Sequence, residues 1–228
     1  MQFQLLEKPD FTMVQIGFDG PGEQIICESG AMVAKDSAVE MKTSLQGGML
    51  AAMKRKALGG ESLFQNTFTS TQPGQRLFFA PGPEGDVEVV NMDGMTPIFL
   101  NSSAYLAAPP TVTLDTKWGG TKGFFSGTGP FLLKCMGTGP LFFNAYGGIH
   151  AVDVGPGGYI CDTGHVVAFT GGLNFNVQKL GGLKSLFLSG EGLVCNFQGQ
   201  GRLWMSTRNS SGLVNFLQPY RRIQSSGS

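Results

Sequence analysis

Residues 26–34 read ICESGAMVA, and residues 160–168 read ICDTGHVVA. Between them, FLNSSAYLA at 99–107 keeps the same grammar: apolar residues, an acid or Asn, a Ser or Thr, a small residue, then apolar residues ending in Ala. A motif that recurs along a chain is read first, because it sets the architecture that every other element must fit. Superposed, the three segments place Glu28, Asn101 and Asp162 at one position, Ser29, Ser102 and Thr163 at the next, and Gly30, Ser103 and Gly164 after that. Short polar side chains that hydrogen-bond nearby backbone, followed by a residue tolerant of positive φ, make a turn. Each copy is therefore predicted to run strand, tight turn, strand.

A second signature follows the last two copies. GTGPFLLKCMGTGPLFF (127–143) and GEGLVCNFQGQGRLWM (190–205) share a G-x-G start, an apolar strand, a G-x-G and another apolar strand. Aligned on the second G-x-G, Phe131, Leu133 and Cys135 fall opposite Leu193, Cys195 and Phe197. Their alternate spacing predicts one buried face of a half-buried strand, and the G-x-G itself reads as a hairpin turn. No helix follows these glycines closely, so they do not read as a phosphate cradle. The first copy is followed by GGESLFQNTFTSTQPGQRLFFA (59–80), with Pro73 and Gly74 at the turn; its Gly59-Gly60 also aligns with Gly119-Gly120 and Gly181-Gly182, and both alignments stay open.

The prediction is an all-β fold of three tandem units, about 1–85, 86–145 and 146–228, packed as one pseudo-threefold domain, with residues 223–228 a frayed tail. Units of this size bury a sheet poorly by themselves, so they are expected to share a core. One stretch breaks the pattern. GGMLAAMKRKALGG (47–60) places Met49, Met53 and Ala57 at helical spacing beside Lys54, Arg55 and Lys56, which predicts a short amphipathic helix near 48–58. Its cations make it a candidate contact for an anionic surface, or a cap on an open sheet end with its basic residues solvated.

Composition excludes several functions. With 16 basic and 16 acidic residues the chain carries no overall field for nucleic acid. Its 35 glycines and 18 phenylalanines fit many short strands joined by tight turns. The cysteines Cys27, Cys135, Cys161 and Cys195 have no CxxC spacing and sit among apolar neighbours, as buried free thiols do. MQFQLLEKPDF lacks the pattern of a signal peptide, and no run reaches the length of a membrane span, so a cytoplasmic setting is expected.

ESGAMV, MKRKALGGESLFQNTF, AYLAAPPTVTL, DTGHVVAF and GEGLVCNFQGQGRLWMSTR, spread over nearly the whole chain, resemble the altered-inheritance-of-mitochondria family of mitochondrial biogenesis proteins and its bacterial relatives. The resemblance implies an all-β fold like that of the trp RNA-binding attenuator protein, assembly as a homotrimer, and no assigned catalytic residue. The chain lacks an Arg-rich, Ser-rich leader, so it looks like a bacterial member.

Catalytic signatures are missing: there is no HExxH, GxSxG, P-loop or GxGxxG. His150 and His165 lack companions at metal-ligand spacing, so neither metal nor cofactor is expected. His165 nonetheless replaces Ala31 and Ala104 at the equivalent turn position. If the three turns cluster, Glu28, Asn101, Asp162 and His165 form a candidate polar pocket. The expected function is a non-enzymatic, self-associating β scaffold with protein or membrane-surface partners. A small-molecule sensor binding between units is the alternative, with RNA binding by fold analogy behind it.

Overall fold

In MVQIGF (13–18) buried residues alternate with half-buried ones, Val14, Ile16 and Phe18 inward, which is the period of a strand with one face on a core. Eighteen strands occur among the described residues. The computed structural model describes residues 1–45, 64–115, 132–179 and 193–221. In order they are β1 (Gln2–Leu6), β2 (Met13–Phe18), β3 (Gln24–Glu28), β4 (Met32–Lys35), β5 (Val39–Leu45), β6 (Phe64–Ser70) and β7 (Gln75–Phe79). Then come β8 (Gly85–Asp93), β9 (Ile98–Asn101), β10 (Tyr105–Ala108), β11 (Val112–Asp115) and the long β12 (Leu132–Tyr146). β13 (Ile149–Val154), β14 (Tyr159–Asp162), β15 (Val166–Thr170), β16 (Leu173–Lys179), β17 (Leu193–Gly199) and β18 (Gly201–Ser206) follow, and helix α1 (Ser210–Leu217) comes after them. The described residues are thus mostly β-sheet with one short helix. The helix expected at 48–58, with Lys54, Arg55 and Lys56, lies outside the described residues, as do Phe131, the Gly59-Gly60, Gly119-Gly120 and Gly181-Gly182 pairs, and residues 223–228.

All strand pairings are antiparallel. One sheet runs β1-β2-β7-β4 and another β14-β17-β16, while the largest runs β13-β18-β15-β9-β12-β10-β3-β6-β5, with β8 and β11 also on β12. The three quoted segments become β3–β4, β9–β10 and β14–β15. In each the two strands do not pair with one another: β3 and β4, like β14 and β15, pair with different strands, while β9 and β10 pair with the first and second halves of β12, so the turn is a corner between ladders. Each second strand also carries a bulge at the same place. Met32 and Ala34 oppose Phe79 and Phe78, Tyr105 and Ala107 oppose Phe143 and Phe142, and Val166 and Ala168 oppose Met205 and Trp204. Val33, Leu106 and Val167 are the extra residues, which bend and twist the strand.

The G-x-G segments are not hairpin turns. β17 pairs with β14 and β16, whereas β18 pairs with β13 and β15, so Gly199-Gln200-Gly201 carries the chain from one ladder to the next. β12 does the same without a break, its first half on β9 and its second on β8. Glycine is needed for close approach. A Cβ on Gly137 would lie 2.0 Å from the Thr111 carbonyl oxygen, and one on Gly199 2.5 Å from that of Gly172.

Burial corrects the one-faced strand. Leu133, Cys135, Cys195 and Phe197 are buried as expected and Leu193 half-buried, but Leu132 and Val194 on the opposite face are buried too. In β12 the cause is that the strand separates two cores: Leu133 and Cys135 pack with Ile98, Leu100, Phe143 and Trp204, whereas Leu132 packs with Phe99, Phe169, Cys195 and Phe197. A further core joins Val14, Ile16, Ile25 and Phe79 to Leu106 and Phe142. Phe142 meets Phe79 edge-on at 5.6 Å, and Phe169 stacks on Phe99 at 5.2 Å. Such pairs add about 0.5–1.5 kcal/mol each beyond the area buried.

Candidate functional site

The turn residues do different work in the three corners. Asp162 caps a single 3-10 turn, its Oδ1 accepting from the Gly164 N–H at 2.7 Å. Asn101 does the same for Ser103 at 3.3 Å and also donates through Nδ2 to the Val166 carbonyl at 3.4 Å, tying β9 to β15. At Glu28 the backbone carbonyl accepts from Ala31 N–H at 3.3 Å, and Gly30 takes φ of 91°. Gly164 is not among the positive-φ glycines, because the 3-10 turn keeps it right-handed.

His165 ends the third turn. A carbonyl can only accept, so the 2.7 Å contact from Nδ1 to the Ser206 carbonyl puts the proton on Nδ1. Nε2 then accepts from Asn209 Nδ2 at 2.8 Å, and Asn209 Oδ1 accepts from the Gly212 N–H at 2.6 Å as the N-cap of α1. Both ring nitrogens are engaged. The imidazole joins the corner to the helix and has no free lone pair for a substrate proton.

Two adjoining clefts open here. One, of about 120 Å³, is lined by Asn101, Ser103, Asn144, Tyr146, Arg208 and Asn209 among others. The second, of about 480 Å³, takes in His165, Tyr146, Arg208, Asn209, Leu213 and Phe216. Asn101 and His165 thus come to neighbouring walls. Glu28 and Asp162 line neither cleft. Sequence reading missed Asn209, Tyr146, Arg208 and α1. Asn209 followed by an apolar run, Leu213, Val214, Phe216 and Leu217, is a helix-start signal that was present.

The thiols offer no nucleophile. Cys27, Cys135, Cys161 and Cys195 are free and buried; burial pushes Cys135, Cys161 and Cys195 up to about 12 and raises Cys27 as well. A thiol so shifted stays protonated at neutral pH. No group of three or more His, Cys, Asp or Glu suited to a metal occurs among the described residues. No helix among them is long and apolar enough to cross a membrane.

The geometry defines a mostly β protein of linked corners with a cleft beside helix α1. Residues 3–208 match the family model described as mitochondrial biogenesis AIM24, and the chain belongs to that family, one of unknown function. It is 26% identical over 228 residues to an uncharacterised protein of Streptococcus pyogenes serotype M6, covering 96% of this chain and 91% of that one. It is also similar to the crystal structure of a Streptococcus pyogenes protein, with a TM-score of 0.76 and 25% identity over 96% of this chain and 99% of that one.

Proposed function

We propose that the protein is a non-enzymatic β scaffold, made of three related six-strand units in tandem, that self-associates and presents its surface to protein or membrane partners. The units would be β2–β7, β8–β12 with the long strand counted as two, and β13–β18. One observation carries the reading: ICESGAMVA, FLNSSAYLA and ICDTGHVVA turn the same corner with a bulge at the same residue, so the motif is spent on architecture. The engaged imidazole and buried thiols support it, since both leave the most reactive side chains occupied. α1 is the candidate contact element. Leu213, Val214, Phe216, Leu217 and Tyr220 are all exposed, a larger apolar display than an isolated surface residue. The homotrimer implied by the family resemblance fits this reading. Light scattering at micromolar protein tests it: a mass above one chain is expected, and a clean monomer of 24.2 kDa would overturn self-association.

A small-molecule sensor is the second reading, favoured by the cleft of about 480 Å³ at His165 and another of about 460 Å³ lined by Val90, Met92, Arg202 and Trp204. Both volumes suit small ligands. A metabolite screen by thermal shift would show a saturable rise in melting temperature.

A further inference from the structure

Two seams join the three corners in sequence order, and they have one register. Ala107 opposes Cys27 and Ala108 opposes Ile26 where β10 meets β3. Ala168 opposes Leu100 and Phe169 opposes Phe99 where β15 meets β9. In both, the ninth residue of one quoted segment faces the second residue of the segment before it. A third seam by the same rule would need the second strand of the first segment, β4, and the first strand of the last, β14. Among the described residues both instead end their sheets, β4 pairing with β7 and β14 with β17.

The side chains at these two ends carry the same message. Tyr105 and Leu106, and likewise Val166 and Val167, are at most 4% exposed, whereas their counterparts Met32 and Val33 are 39% and 55% exposed. Phe99 and Ile98 are 6% and 3% exposed, whereas Ile160 and Tyr159 stand at 52% and 38%. On β3 the counterparts are Ile25, fully buried, and Ile26, half-buried, so these positions are more covered in the two internal seams than on β4 and β14. Unpaired edge strands bearing apolar side chains template another strand unless they are covered.

We propose that β4 of one protomer pairs antiparallel with β14 of a second copy of this chain, Ala34 opposite Cys161 of the partner subunit and Lys35 opposite Ile160 of the partner subunit. The contact is head-to-tail, since it uses two different edges, and identical contacts of this kind close into a ring when their rotation permits. Closure covers every β4 and β14 edge and leaves none to seed further growth. This names the partner surface of the self-association proposed above and rests on that reading.

Cysteine cross-linking tests the register. Lys35→Cys with Ile160→Cys supplies one pair at positions that solvent reaches, and Asp36→Cys with Tyr159→Cys supplies the next by the same register. Directly opposed residues in an antiparallel ladder alternate between roughly 4.5 and 5.5 Å in Cα separation, and both lie in the disulfide range. Under mild oxidation each variant is expected to give intermolecular species on a denaturing gel, ending at the mass found for the native ring, while the wild type gives none. Ile160→Lys sets a like charge against Lys35 across the seam, and its expected mass is one chain with an unchanged circular dichroism spectrum. A wild-type oligomer that fails to cross-link in both variants would refute this interface while sparing self-association. A wild-type monomer removes both, and a ladder growing without limit refutes closure.

Discussion

The His165 imidazole, fixed between the Ser206 carbonyl and the Asn209 amide, shows how a residue that looks reactive in sequence is absorbed by structure. The cysteines behave alike. With thiols held protonated by burial, Ellman's reagent is expected to react negligibly with the native protein and to report four thiols per chain after denaturation; fast native labelling of Cys161 or Cys195 would show that β14 opens. Carboxylates are the groups that should couple stability to acid. Asp36 is held below its ordinary range by the Arg76 guanidinium, Asp93 by the backbone N–H groups of Thr96 and Met95, and Asp153 by Arg202. A lowered folded pKa gives stability that is present above the unfolded value and lost as pH falls through the folded one. Denaturation midpoints should therefore fall on acidification from neutral pH, and Arg76→Ala should flatten that fall in urea titrations at successive pH. Asp153 is exposed and all three carboxylates reach solvent, so each effect is small.

Elements depend on glycine and on caps. Gly30 and Gly137 both have positive φ, but only Gly137 faces backbone within contact distance. Gly30→Ala should cost about 1 kcal/mol from backbone strain alone, and Gly137→Ala clearly more, because Thr111 must move and take the β11–β12 ladder with it. Parallel melts of the two variants check the order. Asn209→Ala removes the cap of α1 and the partner of His165 Nε2; a loss of about 1 kcal/mol is expected, with faster proteolysis confined to the segment after Thr207. Local patterning announced most strands, since alternation in MVQIGF and the turn chemistry at Asn101 and Asp162 are nearest-neighbour effects. The G-x-G crossings were misread because a hairpin and a ladder change use the same glycines. Only the identity of the partner strand separates the two.

At the scale of the molecule, each core lies mainly among the strands of one stretch of chain and is completed by side chains from a neighbouring stretch, as Phe99 and Leu132 complete the core of Phe169, Cys195 and Phe197. Phe169 touches Phe99, Phe175 and Phe197, rings from β9, β16 and β17, so Phe169→Ala should cost about 3–5 kcal/mol in chemical denaturation. It should also loosen β9 and β17 together, visible as hydrogen exchange in both. The candidate site was half legible at this scale. Asn101 and His165 reach neighbouring walls, but Asn209 lies 44 residues from His165, and no local rule links them. What the sequence determined by itself was the thrice-used corner, the strands flanking it and the burial of the thiols, because turn preference and side-chain alternation act within a few residues. Tertiary structure alone decided which strand lies beside which, where a second buried face appears, and that among the described residues β4 and β14 end their sheets. Those outcomes depend on hydrogen bonds and packing between residues far apart in the chain, whose free energy is set by the fold as a whole.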